Sequence, residues 1–144
     1  MNAAPIIRLL GPGDAAVLCD VAEGVFDNEI NPRWTAEFLS DLRHHLVVAM
    51  LDQQVIGMAS AVHYVHPDKP PELWVNEVGV APEFRRQGIG GQLVAALFAR
   101  GRDLGCKEAW LGTEESNTAA RRLYAAAGGV EEAMVYVTFE LDRL

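Results

Sequence analysis

Cysteine is scarce: Cys19 and Cys106 are the only two in 144 residues, and they form no spaced framework. That excludes a disulfide scaffold and a cysteine-ligated metal, and it fits a reducing compartment. No stretch reaches the ~18 continuous apolar residues of a membrane span. Nor does a basic segment followed by an apolar run open the chain, so a soluble, cytoplasmic protein without a membrane partner is expected. Positive charge is also short, with 12 Lys and Arg against 20 Asp and Glu, a formal net charge of −8 and a pI near 4.9. Nucleic-acid binding normally requires a basic surface, so none is expected. Cationic small molecules are favoured, although acidity for solubility alone accounts for the same balance. Repeats, low-complexity tracts and an interdomain linker are absent, and half the residues are apolar. One domain over residues 1–144 is the reading.

Taken in order, residues 5–10 read as a strand and Gly11-Pro12-Gly13 as a break. Asp14 then caps a helix with Val17, Leu18, Val21 and Val25 on its apolar face. A polar connection follows, then a helix over residues 34–42 bearing Trp34, Phe38 and Leu42. Residues 46–51 and 55–65 form a hairpin about Asp52-Gln53-Gln54, and a proline-rich loop closes it. The strand Glu72–Val80, a helix from Gly88 to about Asp103, a strand over residues 107–112, a helix ending at Gly128-Gly129, and a last strand over residues 133–141 complete the chain. His63, His66 and Asp68 match no strong zinc spacing, so no metal is expected. They serve better at an acceptor entrance, and a plain surface loop accounts for them most simply.

The segment of chemical interest is Glu72–Val80, running through Ala81-Pro82-Glu83-Phe84 into Arg85-Arg86-Gln87-Gly88-Ile89-Gly90-Gly91. A strand enters a basic, glycine-rich turn that opens a helix. The first amides of a helix have no intrahelical acceptor, and the helix dipole adds positive potential there, so the turn suits a phosphate. A dinucleotide fingerprint fails because Leu93 stands where a third glycine is needed, and the triphosphatase loop fails because Gly-Lys-Ser/Thr occurs nowhere. What remains is Arg85-x-x-Gly88-x-Gly90. Glu77, meanwhile, interrupts an apolar strand on the same alternating face as Leu73, Val75 and Gly79. Downstream, Asn117-x-x-Ala120-x-x-Leu123-Tyr124 spaces Asn117 and Tyr124 two helical turns apart, on one face with Ala120 between them.

In these three features, in this order, the chain resembles the GNAT superfamily of acetyl-coenzyme A dependent N-acetyltransferases. The resemblance covers the whole chain and implies an α/β fold: a mixed twisted sheet of six to seven strands with helices on both faces. It implies acetyl-CoA as cofactor, its pyrophosphate held at Arg85, Arg86, Gln87, Gly88, Ile89, Gly90 and Gly91. The pantetheine arm should lie against Val78, Gly79 and Val80, with the Val78 N–H donating to the thioester oxygen. Asn117, Ala120 and Tyr124 should face the cofactor, with Tyr124 as general acid for the leaving thiolate. Glu77 is the candidate general base, through burial or a water relay; a strand carboxylate paired with Arg or Lys is the alternative. Arg121 and Arg122 are placed for a coenzyme phosphate or for simple solvation. One departure is Gly128-Gly129, where the family commonly has glycine and an aromatic, and it bears on the geometry of the last hairpin. The resemblance is also compatible with a homodimer.

The stretch from residue 72 to 89 looks like the small aminoglycoside 3-N-acetyltransferases, which implies a cationic amine acceptor acetylated at a 3-amino group. Asp27, Glu29, Glu114 and Glu115, with Glu77, are the candidate substrate-binding acids; solvated loop residues are the equal alternative. Two further readings stand beside this one. The first is acetylation of another small amine or a protein N-terminus, and the second is a noncatalytic acyl-CoA-binding module.

Overall fold

The computed structural model describes residues 3–144. Its elements are β1 (Ile6–Leu9), a 3-10 turn (Ala15–Cys19), α1 (Pro32–Ser40), β2 (His44–Leu51), β3 (Gln54–Tyr64), β4 (Glu72–Val80), α2 (Ile89–Asp103), β5 (Ala109–Trp110) and α3 (Thr118–Ala126). They build a five-stranded sheet in the order β1-β2-β3-β4-β5. The first four strands are antiparallel, and β5 joins β4 in parallel.

Continuous apolar runs place β2 and β3 at the centre, because both sheet faces are covered there. Asp52 and Gln53 turn the hairpin with φ of 49° and 68°, the left-handed pair that matches strand twist. On one face, Val47, Ala49, Ile56, Ala59, Ala61, Leu73 and Val75 pack against Ile89, Leu93 and Leu97 of α2. On the other, Leu46, Val48, Val55 and Met58 meet Leu10, Leu18, Val25 and Leu39. Leu93 and Leu97 are fully buried, and each such side chain contributes roughly 1.5–3 kcal/mol over an exposed one. Pro32 opens α1 behind Asn31, whose Oδ1 accepts from the Arg33 and Trp34 amides.

Four expectations are corrected. The helix after Asp14 stops as a 3-10 turn at Cys19, because Val21 bridges to Val55 and the Ala22 amide donates to the Val55 carbonyl at 2.8 Å. Pairing with β3 outcompetes the helical period there. Phe38 and Leu39 form the inward face of α1, whereas Trp34 and Leu42 are exposed. The fifth strand pairs over only two residues, and the sheet has five strands, not six to seven. Residues 133–141 join no sheet. Gly128, at φ 95°, ends α3 as expected, and the Gly129 amide donates to the Tyr124 carbonyl.

Among the described residues no helix is long and apolar enough to cross a membrane, and no group of three metal-ligating side chains occurs.

Candidate functional site

The site begins with one surplus residue. Ala61 pairs with Val75 and Ser60 with Glu77, leaving Asn76 opposite nothing. Such a bulge bends the strand and re-aims the side chains beyond it. Leu73 and Val75 lie on the α2 face, as do Val78 and Val80 beyond the bulge. Glu77, paired with Ser60, is thereby moved to the opposite face with Gly79. A Cβ on Gly79 would sit 2.2 Å from the Val25 carbonyl oxygen and 3.7 Å from Met58 Cε. The expected common face of Leu73, Val75 and Glu77 is therefore wrong: the period restarts at Asn76. Glu77 is also exposed and not buried, and among the described residues it forms no ion pair.

The second feature is a gap in the sheet. β4 and β5 pair only at Leu73↔Ala109 and Trp74↔Trp110, so the edge of β4 over residues 75–80 lacks a strand neighbour on that side. Its outward amides and carbonyls, apart from the Val80 carbonyl that Arg85 Nε occupies, are open to an added strand-like ligand. Below the gap an aromatic clamp joins the strands, with Trp74 and Trp110 ring centroids 4.0 Å apart and Tyr64 edge-on to Trp110 at 6.5 Å.

The gap ends at the glycine-rich turn. Arg86 (φ 62°) and Gly88 (φ 79°) are both left-handed, an arrangement that curls successive amides around one concavity. α2 starts at Ile89 with no side-chain cap, and its first intrahelical bond runs from the Gln92 amide to the Gly88 carbonyl at 3.2 Å. The amides of Ile89, Gly90 and Gly91 consequently lack helical acceptors. Arg85, Arg86 and Gln87 are exposed beside them. Arg85 Nε donates to the Val80 carbonyl at 3.0 Å, tying the turn to the strand. Gly90 has a separate duty: a Cβ there would lie 3.2 Å from Leu123 Cδ2, so it admits α3 against α2.

α3 brings Ala120 and Tyr124 to this end, both partly buried. Asn117 is the N-cap and not a helical residue, and its Oδ1 accepts from the Ala120 amide at 3.1 Å. Burial pushes the Tyr124 phenol up from its ordinary value, making proton donation harder. Arg121 does not face a phosphate: its guanidinium grips Glu131 through two 2.8 Å bonds and also donates to the Glu115 carbonyl. Arg122 is exposed.

Of the expected acceptor residues, Asp27 and Glu29 are exposed in the connection whose Val25, Phe26 and Ile30 pack into the core on the face of β4 that carries Gly79. Glu114 and Glu115 are exposed in the connection before α3, where the Glu114 carbonyl accepts from the Asn117 amide. His63 is not a loop residue. It lies in β3, its Nδ1 2.8 Å from Nε2 of the buried His45. His66 approaches Glu72 at 3.7 Å, away from the gap's open end. The bulge at Asn76, the close approach of Gly79 to Val25 and the Trp74–Trp110 clamp escaped the sequence reading. The adjacent polar pair Asn76-Glu77 in an apolar strand was the signal for the first.

The histidine pair makes stability depend on acid. Desolvation, then the His63 charge and that of Arg100, pull His45 down to about 4. Above pH ~6.5 both folded and unfolded forms are neutral. Between ~6.5 and about 4 only the unfolded chain takes the proton, so stability falls as pH falls across that window. The loss is about 3 kcal/mol by pH 4. Urea titrations from pH 7 to 4 should show it, and His45→Gln, which keeps a partner for His63, should remove most of it.

Residues 17–128 match the model of the acetyltransferase (GNAT) family. The chain is 34% identical over 92 residues to the aminoglycoside N(6')-acetyltransferase type 1 of Salmonella typhimurium, covering 61% of this chain and 63% of that protein. The match thus spans less than two thirds of that relative's length. A protein of the same name from Stenotrophomonas maltophilia is 27% identical over 146 residues, covering 96% and 95% of the two chains. Among solved structures, AAC(6')-Iy in complex with the bisubstrate analog CoA-S-monomethyl-acetylneamine superposes with a TM-score of 0.79 at 24% identity, covering 96% of this chain and 99% of that one. Both of these relatives are named for the 6'-position and not for the 3-position that the sequence suggested. The bulged strand, the gap beside it, the uncapped helix start and the match over residues 17–128 lead to one statement: the chain belongs to the GNAT acetyltransferase family.

Proposed function

We propose that the protein transfers the acetyl group of acetyl-CoA to a primary amine of an aminoglycoside, at the 6'-position. The observation that carries this reading is the gap along residues 75–80, which ends at an uncapped helix N-terminus on one side and opens toward Glu77 on the other. The residues present fit the cofactor. Six residues of free strand edge, about 20 Å at ~3.3 Å per residue, offer alternating amides and carbonyls to the two amide groups of a pantetheine arm. The turn from Arg85 to Gly91 offers amides and guanidinium charge to its pyrophosphate. The relatives named as aminoglycoside N(6')-acetyltransferases, and a structural neighbour bound to a CoA–neamine bisubstrate analog, support the acceptor class.

Glu77, exposed and without an ion pair among the described residues, takes a proton from the substrate ammonium through a water. The freed amine forms a C–N bond to the thioester carbon, and the Val78 amide holds the carbonyl oxygen as negative charge develops there. The C–S bond breaks, and Tyr124 supplies a proton to the departing sulfur, with position offsetting its raised pKa. Asp27 and Glu29 hold further ammonium groups of the acceptor. A cytoplasmic site, where acetyl-CoA is available, completes the reading.

The test is thiol release from acetyl-CoA with kanamycin-type and gentamicin-type aminoglycosides, spermidine and short peptides. Turnover confined to aminoglycosides with a free 6'-amine supports the proposal. Turnover only on polyamine or peptide overturns the acceptor, and cofactor binding without turnover on any amine overturns the enzymatic reading.

Gly88→Val tests the cradle. A Cβ at Gly88 meets open space, so the effect is conformational strain at φ 79° and obstruction of the concavity. Affinity for acetyl-CoA, measured by calorimetry, should fall at least about tenfold, corresponding to one lost charge-assisted bond of roughly 1.5–3 kcal/mol. Unchanged affinity would place the pyrophosphate elsewhere.

A further inference from the structure

β1 ends at Leu9, and just beyond it the Leu10 amide donates to the Leu46 carbonyl at 2.9 Å. The first two residues of β2, His44 and His45, therefore lie outside the pairing with β1. A cavity of about 310 Å³ occupies that corner, lined by the Gly11-Pro12 break, the end of α1, the two histidines and Arg100 of α2. It stands at the β1 edge of the sheet, whereas the gap along residues 75–80 lies between β4 and β5.

The lining combines leucines with one unmatched cation. Leu10 and Leu39 are buried there, while Leu9 and Leu42 stay 44% and 71% exposed. Among the described residues three buried side-chain polar atoms lack a hydrogen-bond partner, and two of them, Arg100 Nε and His44 Nδ1, belong to residues lining this cavity. Such atoms are rare in folded proteins, because each forfeits the hydration it had in water. Arg100 also forms no ion pair among the described residues. The two carboxylates that line the cavity are already committed. Asp14 holds Arg8 at 2.6 Å and the Gly11 amide at 2.8 Å, and Asp41 holds Arg43 at 3.0 Å with His44 Nε2 3.9 Å away. His45, held at about 4 by burial and then by the His63 and Arg100 charges, is neutral at pH 7 and adds no charge of its own.

We propose that this corner binds a small organic monocarboxylate, its carboxylate on the Arg100 guanidinium and its short apolar tail among Leu9, Leu39 and Leu42. The planar fork of arginine matches a carboxylate through two parallel bonds. A doubly charged phosphate is disfavoured, since Asp14 and Asp41 line the same small space and repel the second charge. The volume corresponds to about ten waters at ~30 Å³ each, which admits a tail of about four to six carbons and excludes a nucleotide. Covering Leu9 and Leu42 supplies the hydrophobic part of the affinity. The site stands whether or not the gap beside β4 holds acetyl-CoA.

NMR spectra of the full chain, titrated at pH 7 with 4-methylpentanoate, test the assignment. The imidazole signals of His44 and His45 and the methyl signals of Leu9 and Leu42 should move together and saturate, with a Kd of about 1 mM, in keeping with the efficiency of so small a ligand. The uncharged 4-methylpentanamide and inorganic phosphate should each bind at least about tenfold more weakly. Arg100→Gln should weaken the carboxylate at least about tenfold. Leu42→Glu, a change at an exposed position that far-UV spectra should show to be folded, should do the same by adding a third carboxylate to the lining. Absence of a saturable shift, shifts confined to other residues, amide or phosphate binding as tightly as the carboxylate, or unchanged affinity in either folded variant would each overturn the site.

Discussion

Glu77→Gln should lower kcat by about 10²–10⁴-fold, the range for removing a positioned general base, while acetyl-CoA affinity stays within about twofold of wild type. The separation follows from geometry. Glu77 lies on the face of β4 opposite α2, whereas the cradle stands at the start of α2. Its side chain is exposed and forms no ion pair among the described residues, so removing its charge costs little stability, within ~0.5 kcal/mol. Steady-state kinetics with a saturating aminoglycoside, alongside calorimetry with acetyl-CoA, give both quantities. A fall of less than about threefold in kcat would show that Glu77 is not the base.

Gly79→Ala should be the most damaging single methyl in the molecule. The new Cβ would lie 2.2 Å from the Val25 carbonyl oxygen, a backbone atom that no rotamer change can move. Either β4 or the 24–26 segment must shift, at a cost of about 3 kcal/mol, the upper range of overpacking. For a chain of this length that corresponds to a Tm lower by roughly 10 °C. Asp27 and Glu29 ride on the displaced segment, so KM for the aminoglycoside should rise well beyond any change in acetyl-CoA affinity. Equal losses for both ligands would mean that β4, which carries the donor edge, moved and not the acceptor wall.

What was legible in the sequence was what local chemistry decides. The turn from Arg85 to Gly91 and the helix after it were readable because glycine placement and the apolar period of Ile89, Leu93 and Leu97 are written in consecutive residues. The Gly128 stop was readable for the same reason. The bulge was not, since a register slip at Asn76 exists only relative to Ser60 and Ala61 on β3. The first helix was misread because Val17, Leu18 and Val21 satisfy a helical period, while Val55, some thirty residues on, offers Val21 a pairing that the period does not reveal. The alternation of residues 133–141 is a genuine strand pattern, but a pattern names a face and not a neighbour. Arg121 looked free for a phosphate only because Glu131 is brought to it by the turn at Gly128.

The displaced face at Asn76 also turns the sheet into a partition. Cradle and α2 stand on one side; Glu77 and the acidic connection through Asp27 and Glu29 stand on the other, resting on a separate apolar core. Drift in the acceptor wall can therefore proceed without compensating changes around the thioester, and the reverse holds as well. On the proposed assignment of the two sides, an enzyme so divided can acquire new amines by altering one side alone, leaving its donor chemistry intact.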